Sequence, residues 1–109
     1  MGKQIRKRPE RLPGKLLEIR RQLGLSQSEM VRQLGLAGEI ERDYVSKFER
    51  GTLEPTLHVL LLYAHVANVF VDALIDDKLE LPATIPAPVK SEGIRTNLRP
   101  QKSARSRKD

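Results

Sequence analysis

The chain has 109 residues, with twenty Lys and Arg against fourteen Asp and Glu, a formal net charge of +6, two His and no Cys. That length holds one modest core and excludes an active-site cleft shared between domains, and the lack of cysteine excludes a disulfide framework and thiolate metal sites. The start Met-Gly-Lys-Gln-Ile-Arg leads into more charge, and the longest apolar stretch runs only from Val59 to Ala64, so the expectation is a soluble cytoplasmic protein, nucleoid-associated, with no signal peptide and no membrane span.

The positive charge sits at the ends. Residues 1–12 carry five Lys and Arg against Glu10, and residues 82–109 carry seven against Glu92 and Asp109, which leaves the middle at −3. A polyanionic partner is implied, attracted by the ends rather than by the folded part. Three regions are expected: a basic N-terminal arm over 1–11, an all-helical domain over 12–81, and a disordered basic tail over 82–109, which opens with three prolines and shows no helical period.

Within the domain, five helices follow from apolar spacing. Leu16, Ile19 and Leu23 mark the first, with Pro13 suited to its first turn and Gly24 to its C-terminal end. Ser26 and Glu29 form a capping box that opens the second, which carries Met30 and Leu34 and closes at Gly35. Val45 and Phe48 mark the third, ended by Gly51; Thr56 after Pro55 is the expected N-cap of the fourth, with Leu57, Leu60, Leu61 and Ala64 as its apolar positions. Val71, Leu74 and Ile75 make a short fifth, and Lys78 to Leu81 reads as one short extended piece.

A helix can read base edges only if it protrudes into a major groove about 12 Å wide while a second helix braces it against the backbone. That arrangement turns Met30, Val31 and Leu34 of the second helix and Val45 and Phe48 of the third inward. Arg42, Asp43, Tyr44, Ser46, Lys47 and Arg50 are then left on the outer side. The run Leu23-Gly24-Leu25-Ser26-Gln27-Ser28-Glu29-Met30-Val31-Arg32-Gln33-Leu34-Gly35, then Tyr44-Val45-Ser46-Lys47-Phe48-Glu49-Arg50-Gly51, then Glu54-Pro55-Thr56-Leu57 and Val69 to Ile75, resembles the phage-repressor and Cro type of helix-turn-helix protein, also called the xenobiotic-response-element (XRE) family. The resemblance spans about residues 12–77. It implies a compact five-helix, lambda-repressor-like fold, binding to double-stranded DNA, and no catalytic residues, metal or cofactor.

By this resemblance the amide of Gln27 braces a DNA phosphate and the base of the recognition helix, at a helix N-terminus where free N–H groups and the dipole favour an anion. Ser28, Arg42, Asp43, Tyr44, Ser46, Lys47, Arg50 and Thr52 complete the expected DNA-binding set. Lys47 is the first candidate for guanine O6 or N7, whereas Tyr44 and Ser46 suit phosphate or thymine methyls. Arg20 and Glu49 fall where the family places a structural ion pair between the first and third helices. The family spacing is exceeded between the second and third helices, where eight residues, Leu36 to Asp43, separate Gly35 from Tyr44 in place of about four. They form either a flexible loop or an extra turn on the front of the third helix with Ile40 tucked onto the core, and Asp43 is either a DNA contact or an N-cap.

His58 and His65 lie seven apart on one helix without companion ligands and read as ordinary helix residues rather than a metal site. No phosphate loop and no triad can be assembled, so no enzyme is expected. Phe70 stands where the family commonly has a capping residue; with Val71, Leu79 and Leu81 it suggests an interface for a homodimer or a protein partner. Lys3, Arg6, Lys7, Arg8 and Arg11 suit a phosphate or minor-groove arm. The leading expectation is a transcriptional repressor binding an operator as a dimer. The rivals are an antitoxin or DNA-bound adaptor that holds a partner through the Phe70 edge, and a non-specific binder driven by the tails.

Overall fold

The structure, a computed structural model, describes residues 7–91. Five helices follow one another: α1 (Leu12–Leu23), α2 (Gln27–Gln33), α3 (Arg42–Arg50), α4 (Leu57–Ala67) and α5 (Val71–Ile75). Among the described residues there is no strand, only an isolated bridge between Ala37 and Ile40, so Lys78 to Leu81 does not form the extended element expected of it. α3 packs against α1 and α2, while α5 packs against α4 and α1.

The ends of these helices are set by local chemistry. The Ser26 hydroxyl accepts from the Glu29 N–H at 3.0 Å and the Glu29 carboxylate accepts from the Ser26 N–H at 2.7 Å, so two of the orphan donors of α2 are satisfied reciprocally. The Ser26 N–H, with the Ser26 hydroxyl adding to it, holds the Glu29 carboxyl below its usual range. Thr56 caps α4 through Val59 N–H at 3.2 Å. Gly51 ends α3 with φ at +77°, and a Cβ there would meet Pro13 Cγ at 3.2 Å, so the turn needs glycine both for its backbone and for the approach of α1.

The core gathers Leu12, Leu16 and Ile19 from α1, Met30 and Val31 with Leu34 from α2, Val45 and Phe48 from α3, and Val59, Leu60, Tyr63, Ala64 and Ala67 from α4. Of the apolar positions expected of α4, Leu60 and Ala64 are buried, but Leu57 is 83 % exposed and Leu61 43 %. An almost wholly apolar helix offers no polar face to orient it, so its rotation is decided by tertiary packing. The Tyr63 hydroxyl is buried without a hydrogen-bond partner, and its burial pushes the phenol up from its ordinary value.

Two features bind the start of α1 to the end of α5. The Asp77 carboxylate accepts the backbone N–H of Glu10 at 2.9 Å and of Arg11 at 3.0 Å, and the Arg11 guanidinium donates to the carbonyls of Asp77 and Leu79. Asp77 therefore caps the start of α1 from 66 residues away. Beside it Lys15, buried on α1, donates from Nζ to the carbonyls of Ala73 at 2.8 Å and Asp76 at 3.0 Å, closing the C-terminal end of α5. Desolvation lowers the Lys15 pKa, with Arg11 adding to the effect.

The Asp77 carboxyl is held below its ordinary value of 3.8 by those two N–H groups, that of Glu10 first. A depressed carboxylate stabilises the fold above its unfolded pKa, and that contribution is lost as the pH falls through the lower folded value. The D77N variant is therefore expected to melt below the wild type at neutral pH and to lose less further stability than the wild type below about pH 4. Thermal melts of the two proteins across that range test this; parallel acid limbs would show that the carboxylate does not anchor α1.

The segment 82–91 departs from the disordered tail expected of it. Ile85 and Ala87 are buried, at 5 % and 3 % exposure, and join the core. Ala87 N–H donates to the Ala67 carbonyl at 2.9 Å, Asn68 Nδ2 donates to the Ala87 carbonyl at 2.6 Å, and Ile85 N–H donates to the Gln22 side chain at 3.3 Å. Asn68, the left-handed C-cap of α4 at φ +56°, thus both ends its helix and holds the returning chain. The folded unit accordingly extends past residue 81, and it begins before residue 12 at the Glu10 and Arg11 amides. The remainder of the expected tail, with Arg95 to Lys108, and Lys3 and Arg6 of the arm lie outside the described residues.

Candidate nucleic-acid interface

α2 and α3 carry the expected site. The connection between them is resolved in favour of a loop: Leu36 is buried, its carbonyl accepts from both Glu39 and Ile40 N–H, Gly38 takes φ +87°, and Ile40 is half-buried against the core. Glu39 and Glu41 are exposed. α3 begins at Arg42 with Glu41 as N-cap, and no side chain supplies the capping bond. Asp43 is consequently inside the first turn of α3 and not its N-cap, where a negative charge suits the helix dipole.

Along α3, Val45 and Phe48 are buried, and Ser46 and Glu49 are half-buried; Arg42, Asp43, Tyr44, Lys47 and Arg50 are exposed. The acid and base of the outer side meet: Lys47 Nζ lies 4.0 Å from Asp43 Oδ2, one turn away, with both side chains about half exposed at 48 % and 58 %. Arg50 is folded back, donating from Nε to the Ser46 hydroxyl at 3.2 Å and to the Ser46 carbonyl at 3.3 Å. Thr52 is exposed just beyond the helix, its hydroxyl 3.4 Å from the Lys47 carbonyl. A shallow concavity of about 380 Å³ opens between the starts of α2 and α3, lined by Gln27, Glu41, Arg42, Asp43 and Ser46.

The orientation of α3 is fixed from behind. Arg20 Nε donates to Glu49 Oε2 at 2.7 Å and its second guanidinium nitrogen to Oε1 at 3.0 Å, a bidentate pair between α1 and α3. The same guanidinium donates to the Leu25 carbonyl at 2.9 Å, and Gln27 Nε2 donates to Glu49 Oε1 at 3.2 Å. One carboxylate therefore ties the end of α1 and the start of α2 to the last turn of α3. The bond to Glu49 raises the Arg20 pKa further, so its charge is committed inward and is not part of the outer surface. Gln27 keeps its own backbone N–H at the first position of α2, next to exposed Ser28.

Of the four residues expected to form an apolar edge, Phe70 is exposed and the other three are half-buried. Phe70 is 41 % exposed and caps α5 with no side-chain bond, and the ammonium of Lys90 stands 5.3 Å from its ring centroid. Val71 and Leu81, in contrast, pack against the protein's own core, and Leu79 is half-buried. Among the described residues the most exposed large apolar side chain is Leu57 on α4. His58 and His65 are exposed on α4, and no group of three or more potential metal-binding side chains occurs among the described residues.

A protein-family model described as "Helix-turn-helix" matches residues 16–72, a span that runs from α1 into α5. The chain belongs to the helix-turn-helix family of the Cro and phage-repressor type. Comparisons with curated proteins and with solved structures return no significant match. The helix-turn-helix match makes the protein a DNA-binding one, and its five-helix architecture is that of the lambda-repressor-like fold. No helix among the described residues is long and apolar enough to cross a membrane. Sequence reasoning missed Lys15 and the Asp77 clamp, which hold α5 and the start of α1, because neither leaves a local pattern.

Proposed function

We propose that the protein is a transcriptional repressor that reads a short operator as a two-fold pair, with α3 of each copy in the major groove. The observation that carries this reading is the division of α3 into a buried apolar side, Val45 and Phe48, and an exposed polar side, with Glu49 locked to Arg20 and Gln27 behind it. A recognition helix needs its base-reading side chains outward and its axis held rigidly, since contacts to base edges depend on geometry. The N–H groups at the start of α2 and the exposed Ser28 and Thr52 flank that helix as phosphate contacts. Pairing of two copies supplies the surface that one module lacks, and two recognition helices a helical turn apart read an inverted repeat.

Lys47, exposed on α3, donates to guanine in this reading. The K47A variant is expected to lose about 1–3 kcal/mol on the selected operator while its binding to random DNA changes little. Selection from a randomised duplex library with sequencing supplies that operator and its half-site spacing. Equal losses on both DNAs would remove Lys47 from base reading, and a selection returning no consensus would overturn the operator reading as a whole.

A further inference from the structure

The Asp43–Lys47 pair raises a problem that the operator reading does not solve. An exposed carboxylate in the first turn of a helix that enters DNA faces a surface of phosphates, which repel it, unless a donor on the bases meets it. The ammonium 4.0 Å away presents a donor beside that acceptor on the same exposed side of α3.

We infer that Asp43 is a specificity-determining residue, accepting a hydrogen bond from the exocyclic amine of a cytosine whose paired guanine is read by Lys47. This assignment rests on the operator reading above and deepens it. In a G·C pair the guanine O6 and cytosine N4 are hydrogen-bonded to each other and so lie about 2.9 Å apart. They form an acceptor and donor side by side in the major groove. A side-chain donor and acceptor 4.0 Å apart are the complement of that edge.

The neighbouring atoms decide between base pairs. Guanine N7 lies next to O6, so the ammonium finds two acceptors while the carboxylate finds the N4 donor. An A·T pair also offers a donor beside an acceptor, but adenine N7 would then adjoin the carboxylate and repel it, and the thymine methyl would adjoin the ammonium. The dyad therefore favours G·C in one orientation over the other three pairs. It also gives Asp43 a role beyond the helix dipole, which would stabilise α3 equally on any DNA.

The test uses the full chain as wild type, D43A and D43N, each selected against the same randomised duplex library and then titrated against the selected duplex with all four pairs at each position. For the wild type, replacing one G·C pair is expected to weaken binding about tenfold to a hundredfold. D43A is expected to level the preference at that position, and D43N to move it toward A·T, because an amide pairs with adenine N6 and N7. Circular dichroism melts confirm that both variants fold; residue 43 is exposed, so neither disturbs the core. Unaltered base preference in both variants overturns the assignment alone. A wild type without any consensus overturns it together with the operator reading.

Discussion

Replacing Glu49 by alanine is expected to cost about 3 kcal/mol of stability, the lower end of the range for breaking a buried ion pair. The Glu49 side chain is 5 % exposed, whereas that of Arg20 is 17 % exposed, so the stranded guanidinium regains some water and the loss stops short of the upper end. A domain of this size has only about 5–15 kcal/mol in total, and its melting temperature moves roughly 4–8 °C for each kcal/mol. E49A should accordingly melt about 12–24 °C below the wild type. A double variant, R20M with E49M, should recover a large part of that loss, because the unpaired charge is then removed along with its partner. Denaturant titrations of both proteins decide the matter. A loss below about 1 kcal/mol in E49A would place the pair in the class of exposed ion pairs that contribute little.

The consequence for DNA follows from what the carboxylate holds. Glu49 is bonded at once to Arg20 of α1 and Gln27 of α2, so its removal frees the helix that carries the polar side chains and the residue beside the first N–H of α2 together. The pair orients more than it stabilises; two apolar residues can match its contribution to stability but cannot restrain Gln27. The methionine double variant should therefore fold well and still bind the operator more weakly than the wild type. Stability and binding separate in that variant, which distinguishes an orienting role from a merely stabilising one.

How much of this was legible depended on how far apart the interacting residues lie. The caps at Ser26 and Thr56 and the turns at Gly24 and Gly51 could be read because each is decided within four residues by backbone donors that need an acceptor or by a positive φ. The start of α3 could not be read, since Glu41 caps it without a side-chain bond and leaves no signature. The Arg20–Glu49 pair was placed by family resemblance; nothing in the spacing of two charges 29 residues apart requires them to meet. Lys15 contradicts the rule that lysines are exposed, and it is buried because two carbonyls at the end of α5 supply the acceptors its ammonium needs. For α4 the reason is the opposite, an excess of apolar positions: Leu60 and Ala64 are buried as expected, whereas Leu57 and Leu61 are exposed. For the site, the outer residues of α3 were legible from the inward pair Val45 and Phe48, but the closeness of Asp43 to Lys47 needed the true beginning of the helix.

The same distinction sets the second large effect, which concerns where the protein can be cut. Composition alone would place the boundary at residue 81, where prolines begin, yet the chain stays on the core through Ile85 and Ala87 and is held by Ala67, Asn68 and Gln22. A protein ending at residue 81 loses the burial of an isoleucine, worth about 1.5–3 kcal/mol, and leaves a vacancy beside α4 whose lining loses its contacts. It is expected to be about 3 kcal/mol or more less stable than the full chain. A protein ending at residue 91 keeps every one of those contacts and should melt within a few degrees of the full chain. Removing residues 92–109 takes away six Lys and Arg, so the shorter protein reports separately on the attraction that charge supplies, through the slope of affinity against salt. Comparing thermal melts of the two truncations isolates the contribution of residues 82–91, in which the core-seated Ile85 and Ala87 are set among prolines. Equal stability of the two would mean that the segment lies on the core without holding it.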